Sequence, residues 1–170
     1  MMEIHYGTKK ILAQPMTRGE YIDYRGWTLP GDEVRTDEGY LIEYPDGGAT
    51  NHADHAGYIT WLPKSEFAFV FRPSGQMNFG HAIEAMKSGA KVARSGWNGK
   101  GMWIALTPGS AFEAKFAKCG HAAGKRAAEI QPDDEIELLP HIDMRAADGS
   151  MVIGWLASQT DMLAEDWTIV

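Results

Sequence analysis

ARSGWNGKGMW, residues 93–103, is the segment that decides how the carboxy-terminal half of this chain is interpreted. Three of its last eight residues are glycines, which predict a tight turn with exposed backbone N–H groups, because glycine adopts positive φ without steric cost. The segments Lys91–Arg94 and Met102–Leu106 flank this turn, and apolar and polar residues alternate in the first of them. Such alternation is typical of a strand. The stretch is therefore predicted to be a strand–turn–strand hairpin.

The same hairpin concentrates side chains that suit a nucleotide ligand. Indoles and a guanidinium offer stacking faces, and the cations also suit phosphates. One interpretation is a wall of a nucleotide-binding site, and the other is a hairpin whose tryptophans fill the core. Spacing alone favours the core, because a large aromatic side chain usually serves packing first. The residues concerned are Arg94, Trp97, Asn98, Lys100 and Trp103.

The tail GWLASQTDMLAEDW, residues 154–167, is a second concentration of aromatic and polar residues. Ser158 followed by Asp161 fits a capping box, so a helix of about two turns is predicted before Trp167. Asp161 then serves the cap, or it accepts from a ribose or base N–H. Both roles are compatible, because the amino terminus of a helix favours anions.

A helix is also predicted ahead of the hairpin. Asn78 suits the N-cap, and Phe79, Ile83 and Met86 recur at the spacing of one helix face. Gly89 follows in the position where glycine commonly ends a helix. The apolar face of this helix is expected to pack against a sheet.

Two long stretches resemble the second Thoeris anti-defence family: MNFGHAIEAMKSGAKVARSGWNGKGMWI, and LLPHIDMRAADGSMVIGWLASQTDMLAEDW after a variable insert. Members of that family are phage proteins that bind cyclic nucleotide-like immune signals of bacteria and hold them without cleavage. The resemblance covers about residues 77–170, and the combination of RxGWNGKGMW with WxxSQxDxLAxDW is specific. It implies an α+β domain that assembles as a homotetramer with ligand at subunit contacts. As ligand-binding residues it implies the matching motif positions Arg94, Trp97, Asn98, Lys100, Trp103, Trp155, Ser158, Gln159 and Asp161.

Bulk properties limit the classes of function. A chain of 170 residues is one ordinary domain or two small ones. The net charge of −7 argues against binding of DNA or RNA polymers, but a small anionic ligand needs only a few local cations. The single cysteine gives no sign of an oxidising compartment, and no apolar run approaches a membrane span of ~20 residues. We expect a soluble protein, and the resemblance implies a phage or prophage product in the host cytoplasm.

Residues 1–72 are predicted to form a separate small module of unknown role. A helix within residues 6–28 is doubtful, because Arg-Gly pairs interrupt the periodicity. Tyr40–Tyr44 and Gly57–Trp61 are predicted strands on either side of the turn Pro45–Gly48. Lys64–Phe71 is predicted to be a short helix. The module is therefore an aromatic-rich α+β or small all-β unit.

The module contains one cluster of metal-ligand residue types, NHADH at residues 51–55. His52, Asp54 and His55 could converge on a metal, yet no further His, Cys or Glu pattern nearby completes a site. The cluster falls in a predicted polar loop, where these residues are ordinary. No nucleophile–base pair is evident from spacing. We therefore expect no metal, no cofactor and no enzymatic activity.

The segments beyond the first hairpin complete an antiparallel fold. Ser110 with Glu113 predicts a capped helix that extends to about Lys118. Residues 121–126 are predicted to be a solvated loop, which is favoured over a flap that places Lys125 or Arg126 on an anion. One strand is predicted over 136–146, with a hairpin at Asp148-Gly149 and a return over 151–155. The predicted order is helix, hairpin, insert, hairpin, helix and final strand (167–170). This order indicates an α+β class, in which short helices pack on an antiparallel sheet. A small aromatic-rich β-containing module precedes this domain.

The resemblance implies capture of a glycocyclic ADP-ribose-type signal, or of a cyclic di- or trinucleotide. A purine would stack on Trp97 or Trp103, and phosphates would meet Arg94, Lys100 or amides of the glycine turn. Asn98 and Asp161 would contact base or ribose edges. Two alternatives remain open. One is a phosphodiesterase-like enzyme that degrades the signal with residues 52–55, and the other is a phage accessory protein that binds only a protein partner.

Overall fold

The computed structural model describes Glu3 and residues 7–170, and the chain divides into two compact units, residues 1–72 and 73–170. Strands in both units pair only antiparallel, and the helices are short. The predicted α+β class is therefore confirmed. Within the described residues, no helix has both the length and the apolar character needed to cross a membrane.

The amino-terminal unit is a three-stranded sheet with a helix on each face. Its strands lie in the order β1-β2-β3, and Glu43 of the central strand pairs with Ile59. Tyr21 packs on one face against Leu41 and Ile59. On the other face, the ring of Phe67 stacks on Tyr40 with 3.9 Å between centroids. The elements are β1 (Leu12–Pro15), α1 (Arg18–Arg25), β2 (Gly39–Tyr44), β3 (Tyr58–Pro63) and α2 (Lys64–Val70).

Helix α1 corrects the prediction that a helix within residues 6–28 is doubtful; Tyr6 itself lies outside the described residues. Thr17 and Glu20 form a reciprocal capping box at its start. Gly26 ends the helix with φ of 65°, which glycine adopts without strain. The glycine that interrupts the periodicity therefore serves as the stop signal, and the caps stabilise a helix of only eight residues.

The carboxy-terminal unit contains a five-stranded sheet in the order β10-β4-β5-β8-β9 and a two-stranded ribbon of β6 and β7. The elements are α3 (Phe79–Lys87), β4 (Val92–Arg94), β5 (Trp103–Thr107), β6 (Ser110–Glu113), a 3₁₀ turn (Ala114–Phe116), α4 (Ala122–Ala127), β7 (Glu135–Leu138), β8 (His141–Arg145), β9 (Met151–Val152), α5 (Gln159–Met162) and β10 (Trp167–Ile169).

Helix α3 forms as predicted and covers one face of the five-stranded sheet. The Asn78 side chain accepts from the amide of His81, and Gly89 follows with φ of 87°. Ala82 and Met86 are buried in one core cluster with Val92, Ile104 and Trp167 of the sheet. Each of these five side chains is at most 3% exposed, so the cluster is the centre of the unit.

The insert differs from its prediction. Residues 110–113 form strand β6, not a capped helix, and Phe112 pairs with Ile136 of β7. The strand predicted over 136–146 is two strands in two different sheets. Pro140 lies at the break, where the missing N–H would interrupt a ladder. The segment 121–126, predicted to be a loop, is the N-cap His121 and most of helix α4, and the predicted return over 151–155 is a strand only at Met151–Val152.

Candidate ligand-binding site

The two sequence segments that bear most of the predicted ligand residues meet at one corner of the five-stranded sheet. Strand β10 pairs with β4 so that Trp167 lies opposite Arg94. This register brings the tail against the glycine-rich turn, and the amide of Gly96 donates to the carboxylate of Asp166 at 2.7 Å. Gly101 adopts φ of 71°, as the predicted turn requires.

Arg94 is held between two carboxylates. Its Nη1 donates to Oδ1 of Asp161 and its Nε donates to Oδ1 of Asp166, each at 2.8 Å. The Arg94 side chain is only 16% exposed. Both hydrogen bonds raise the pKa of the guanidinium, that from Asp166 more than that from Asp161. This cation is therefore paired within the chain, with local charge already compensated.

Asp161 is the centre of this cluster. Its Oδ1 accepts from Arg94 and from Nε1 of Trp97, and its Oδ2 accepts from the amide and hydroxyl of Ser158. A carboxylate offers about four lone-pair positions, and all four are used here. Asp161 thus orients the Trp97 indole and caps α5, as the predicted capping box requires. The helix itself spans one turn, Gln159–Met162, where two were predicted.

The pKa of Asp161 follows from these bonds. Burial by itself would raise it, but the hydrogen bonds from Ser158, Arg94 and Trp97 prevail and lower the pKa to about 2. A hydrogen bond from Arg94 likewise lowers the pKa of Asp166. Both carboxylates are consequently ionised at neutral pH.

An aromatic cluster lies directly against this ion-pair cluster. Trp97 lies edge-on to Trp155 and to Trp167, with ring centroids 6.2 and 5.4 Å apart, and Phe79 packs on Trp167 at 5.4 Å. Trp167 is fully buried and its Nε1 donates to the backbone oxygen of Asp161. Trp97 and Trp155 are half-buried, so part of each indole remains at the surface.

The remaining predicted residues are divided between this corner and another face. Asn98 and Lys100 are exposed in the glycine turn, and Gln159 is the exposed first residue of α5. Trp103 alternates with the buried Ile104 along β5, so its side chain lies on the opposite face of the sheet. There the ammonium of Lys91 lies 5.2 Å from its ring centroid.

Sequence reasoning missed Asp166, the second carboxylate on Arg94. The sequence signal for Asp166 was its position directly before Trp167, the first residue of the final strand.

Two cavities lie elsewhere: one of about 850 Å³ beside Trp61 and Lys64, and a groove of about 490 Å³ along β6 and β7. None of the nine predicted ligand residues lines either of them.

His52, Asp54 and His55 fall in the loop between β2 and β3, as predicted. Across the residues that the structure covers, no group of three or more His, Cys, Asp or Glu side chains is arranged to hold a metal ion. The imidazole of His55 instead contacts Glu43, with Nδ1 2.8 Å from Oε2.

Comparison with known proteins places the corner within one family. The model of the Thoeris anti-defense 2-like domain matches residues 77–170, which include all nine predicted ligand residues. The protein named Thoeris anti-defense 2 from Bacillus phage SP01 is 39% identical over 95 residues, covering 56% of this chain and 96% of the phage protein. The family match includes the segments that carry the resemblance found in the sequence. The chain therefore belongs to the Thoeris anti-defense 2-like family.

Proposed function

We propose that this protein is a phage anti-defence protein that binds a cyclic nucleotide-like immune signal and sequesters it without cleavage. The signal is of the glycocyclic ADP-ribose type, or a cyclic di- or trinucleotide. The observation that carries the proposal is the family match across residues 77–170. The similarity to the Bacillus phage SP01 protein Thoeris anti-defense 2, 39% identical over 95 residues, also supports it. Sequestration acts in the host cytoplasm, where the signal would be produced.

The geometry of the corner supports a division of roles. The ion pairs of Arg94 with Asp161 and Asp166 hold the turn and the tail together, and they keep the Trp97 indole in one orientation. The surface portions of Trp97 and Trp155 are available to stack on a base. Asn98, Lys100 and Gln159 are exposed and supply the direct polar contacts; Trp103 supplies a further stacking face on the other side of the sheet.

Such contacts are sufficient in energy for tight capture. Stacking contributes ~1–3 kcal/mol per base, and a hydrogen bond to a charged group contributes about 1.5–3 kcal/mol. A few of each reach about −12 kcal/mol, which corresponds to nanomolar affinity, once the cost of association is included. Capture of this kind needs no nucleophile and no general acid.

We also propose that the protein acts as a homo-oligomer, a tetramer by family resemblance, with ligand at subunit contacts. Exposed apolar side chains occur in and after β9, the terminal strand of the five-stranded sheet, and in and just after α5. Leu156 and Leu163 are 88% and 82% exposed, and a second copy that covers them would gain the free energy of burying this apolar surface. The apolar positions are Met151, Val152, Ile153, Leu156, Met162 and Leu163.

The direct test is to incubate the full-length protein with each candidate signal, wash it, release bound material by heat and identify that material by mass spectrometry. Recovery of the intact signal supports sequestration. Recovery of cleavage products would instead support the phosphodiesterase-like alternative. No bound nucleotide and no thermal shift with any cyclic nucleotide or ADP-ribose derivative would favour an accessory protein that binds only a protein partner.

A site variant and a matched control test whether the signal binds at the glycine turn. Asn98→Ala combined with Lys100→Ala removes two exposed polar side chains from the turn, and we expect at least a tenfold loss of affinity, about 1.4 kcal/mol. Lys87→Ala is the matched control, because it removes an exposed lysine from α3 and changes the net charge equally. Equal affinities of the two variants by calorimetry would place the ligand elsewhere.

A further inference from the structure

A chain of hydrogen bonds in the amino-terminal unit joins a carboxylate, an imidazole and a phenol. Nδ1 of His55 lies 2.8 Å from Oε2 of Glu43, and its Nε2 lies 3.0 Å from the hydroxyl of Tyr24. Glu43 belongs to β2 and Tyr24 to α1, whereas His55 lies in the loop that precedes β3. Three separate segments thus converge on one acid–base–hydroxyl arrangement.

The proton positions in this chain follow from the partners. An ionised carboxylate only accepts, so Nδ1 of His55 carries a proton toward Glu43. Neutral His55 then presents an unprotonated Nε2, and the hydroxyl of Tyr24 donates to it. Nδ1 of His52 accepts from the amide of Asp54 and lies 3.4 Å from the same hydroxyl. The phenol proton of Tyr24 therefore faces two unprotonated ring nitrogens.

The arrangement is held in place by bonds that do not involve the phenol. The hydroxyl of Thr50 lies within hydrogen-bonding distance of the backbone oxygens of His52 and His55, between which it shares its one proton, and Asn51 exchanges two hydrogen bonds with the backbone of Ile59. The second oxygen of Glu43 accepts from the amide of Gly57. The loop is therefore anchored on β2 and β3 independently of Tyr24.

Tyr24 remains partly exposed although its base is enclosed. The side chains of His55 and Glu43 are 16% and 13% exposed, whereas Tyr24 is 36% exposed. Its ring stacks on His52 with 4.4 Å between centroids, which restricts rotation. An oriented hydroxyl on a partly exposed side chain, a base within hydrogen-bond reach and a carboxylate behind that base are the parts of an activated nucleophile.

We propose that Tyr24 is a nucleophilic acceptor site for activated acyl groups, with His55 as general base and Glu43 as the residue that orients it. The phenol oxygen attacks the acyl carbon and forms an ester bond, while its proton passes to Nε2 of His55. The bond to the leaving group breaks, and the leaving group takes the proton from His55. A free phenol has a pKa near 10, so without a base about one molecule in a thousand is ionised at neutral pH. This site lies outside residues 77–170, and it does not rest on signal capture.

The test is acetylation of the full-length protein by N-acetylimidazole at neutral pH, with each tyrosine quantified by peptide mass spectrometry. Tyr58 is the internal control, since it is 43% exposed and lies outside the hydrogen-bond chain. We expect Tyr24 to react about 100-fold faster than Tyr58, a common contribution of a general base. A Tyr24 to Tyr58 ratio near or below one would overturn the proposal, and the hydrogen bonds would then be a clamp that only holds the loop.

Two variants test whether the basicity of His55, and not only the position of Tyr24, accounts for the reactivity of Tyr24. His55→Gln retains a polar side chain but no base, so the rate of Tyr24 is expected to fall to that of Tyr58. Asp54→Asn changes a neighbouring carboxylate that is 76% exposed, and it is expected to leave the rate unchanged. Hydrogen exchange of β2 and β3 verifies that the variants are folded. A high wild-type ratio that survives in folded His55→Gln would also overturn the proposal.

Discussion

The cluster around Asp161 and the cluster around His55 both contain a carboxylate, a ring N–H and a hydroxyl. They differ in which group lies at the centre of the hydrogen bonds. In the carboxy-terminal unit the carboxylate is central, and four donor atoms from Arg94, Trp97 and Ser158 converge on it. In the amino-terminal unit the imidazole is central, with one donor and one acceptor atom. The carboxylate of Asp161 only accepts, so its hydrogen bonds extend no further. The imidazole of His55 both donates and accepts, so it connects Glu43 to the hydroxyl of Tyr24. The identity of the central group thus distinguishes the cluster around Asp161 from the cluster that we propose to be reactive.

The largest expected effect comes from Asp161→Ala. Removal of this carboxylate leaves Arg94 and the Trp97 N–H without a partner in a poorly hydrated corner, and we expect a loss of about 3–5 kcal/mol in the free energy of unfolding of this unit. Hydrogen exchange of the full-length chain, resolved by peptide, measures each unit separately. Asp133→Ala is the control, because its side chain is 83% exposed and pairs only with Lys115. A loss below about 1 kcal/mol would show that this cluster is not a structural centre.

Acid is expected to weaken the same cluster by a smaller amount. The pKa of Asp161 is about 2 in the folded chain and 3.8 as its ordinary value, so the unfolded chain binds the proton more readily. The ionised carboxylate contributes about 2 kcal/mol to the free energy of unfolding. This contribution is complete above about pH 5 and is lost as the pH falls toward about 2. In urea unfolding at several pH values, the free energy of unfolding of the wild type should fall more steeply with decreasing pH than that of Asp161→Asn. Parallel pH profiles of the two proteins would contradict the assignment.

The smallest effects distinguish the two capping boxes, one in each unit. Ser158→Ala removes the α5 cap and also a hydrogen bond to the buried Asp161, and we expect it to cost about 1–2 kcal/mol. Thr17→Ala removes an exposed cap on α1 and is expected to cost about 0.5–1 kcal/mol. Hydrogen exchange of the peptides that contain each helix provides the measurement. Equal losses would mean that the bond from Ser158 to Asp161 contributes little.

Much of the fold could be predicted wherever a few neighbouring residues decide it. The Asn78 cap, the Gly89 stop and the hairpin at Asp148-Gly149 all follow from local chemistry, and all are present. Prediction failed where a local signal competes with pairing to a distant strand. Ser110 with Glu113 satisfies the pattern of a helix cap, but pairing of Phe112 with Ile136 outweighs it. The partner strand lies more than twenty residues away, so no local window contains it.

For the candidate site, local sequence is enough to predict the residue types and two local structures: the glycine turn after Arg94 and the capping box of Ser158 with Asp161. The contact of Arg94 with Asp161, 67 positions away, and the addition of Asp166 to it depend on the folded chain. The tertiary structure also decided that Trp97 lies against this corner while Trp103 lies on the opposite face of the sheet. The physical reason is strand register, because pairing of Trp167 with Arg94 sets which side chains share a face, and that pairing depends on the packed core as a whole.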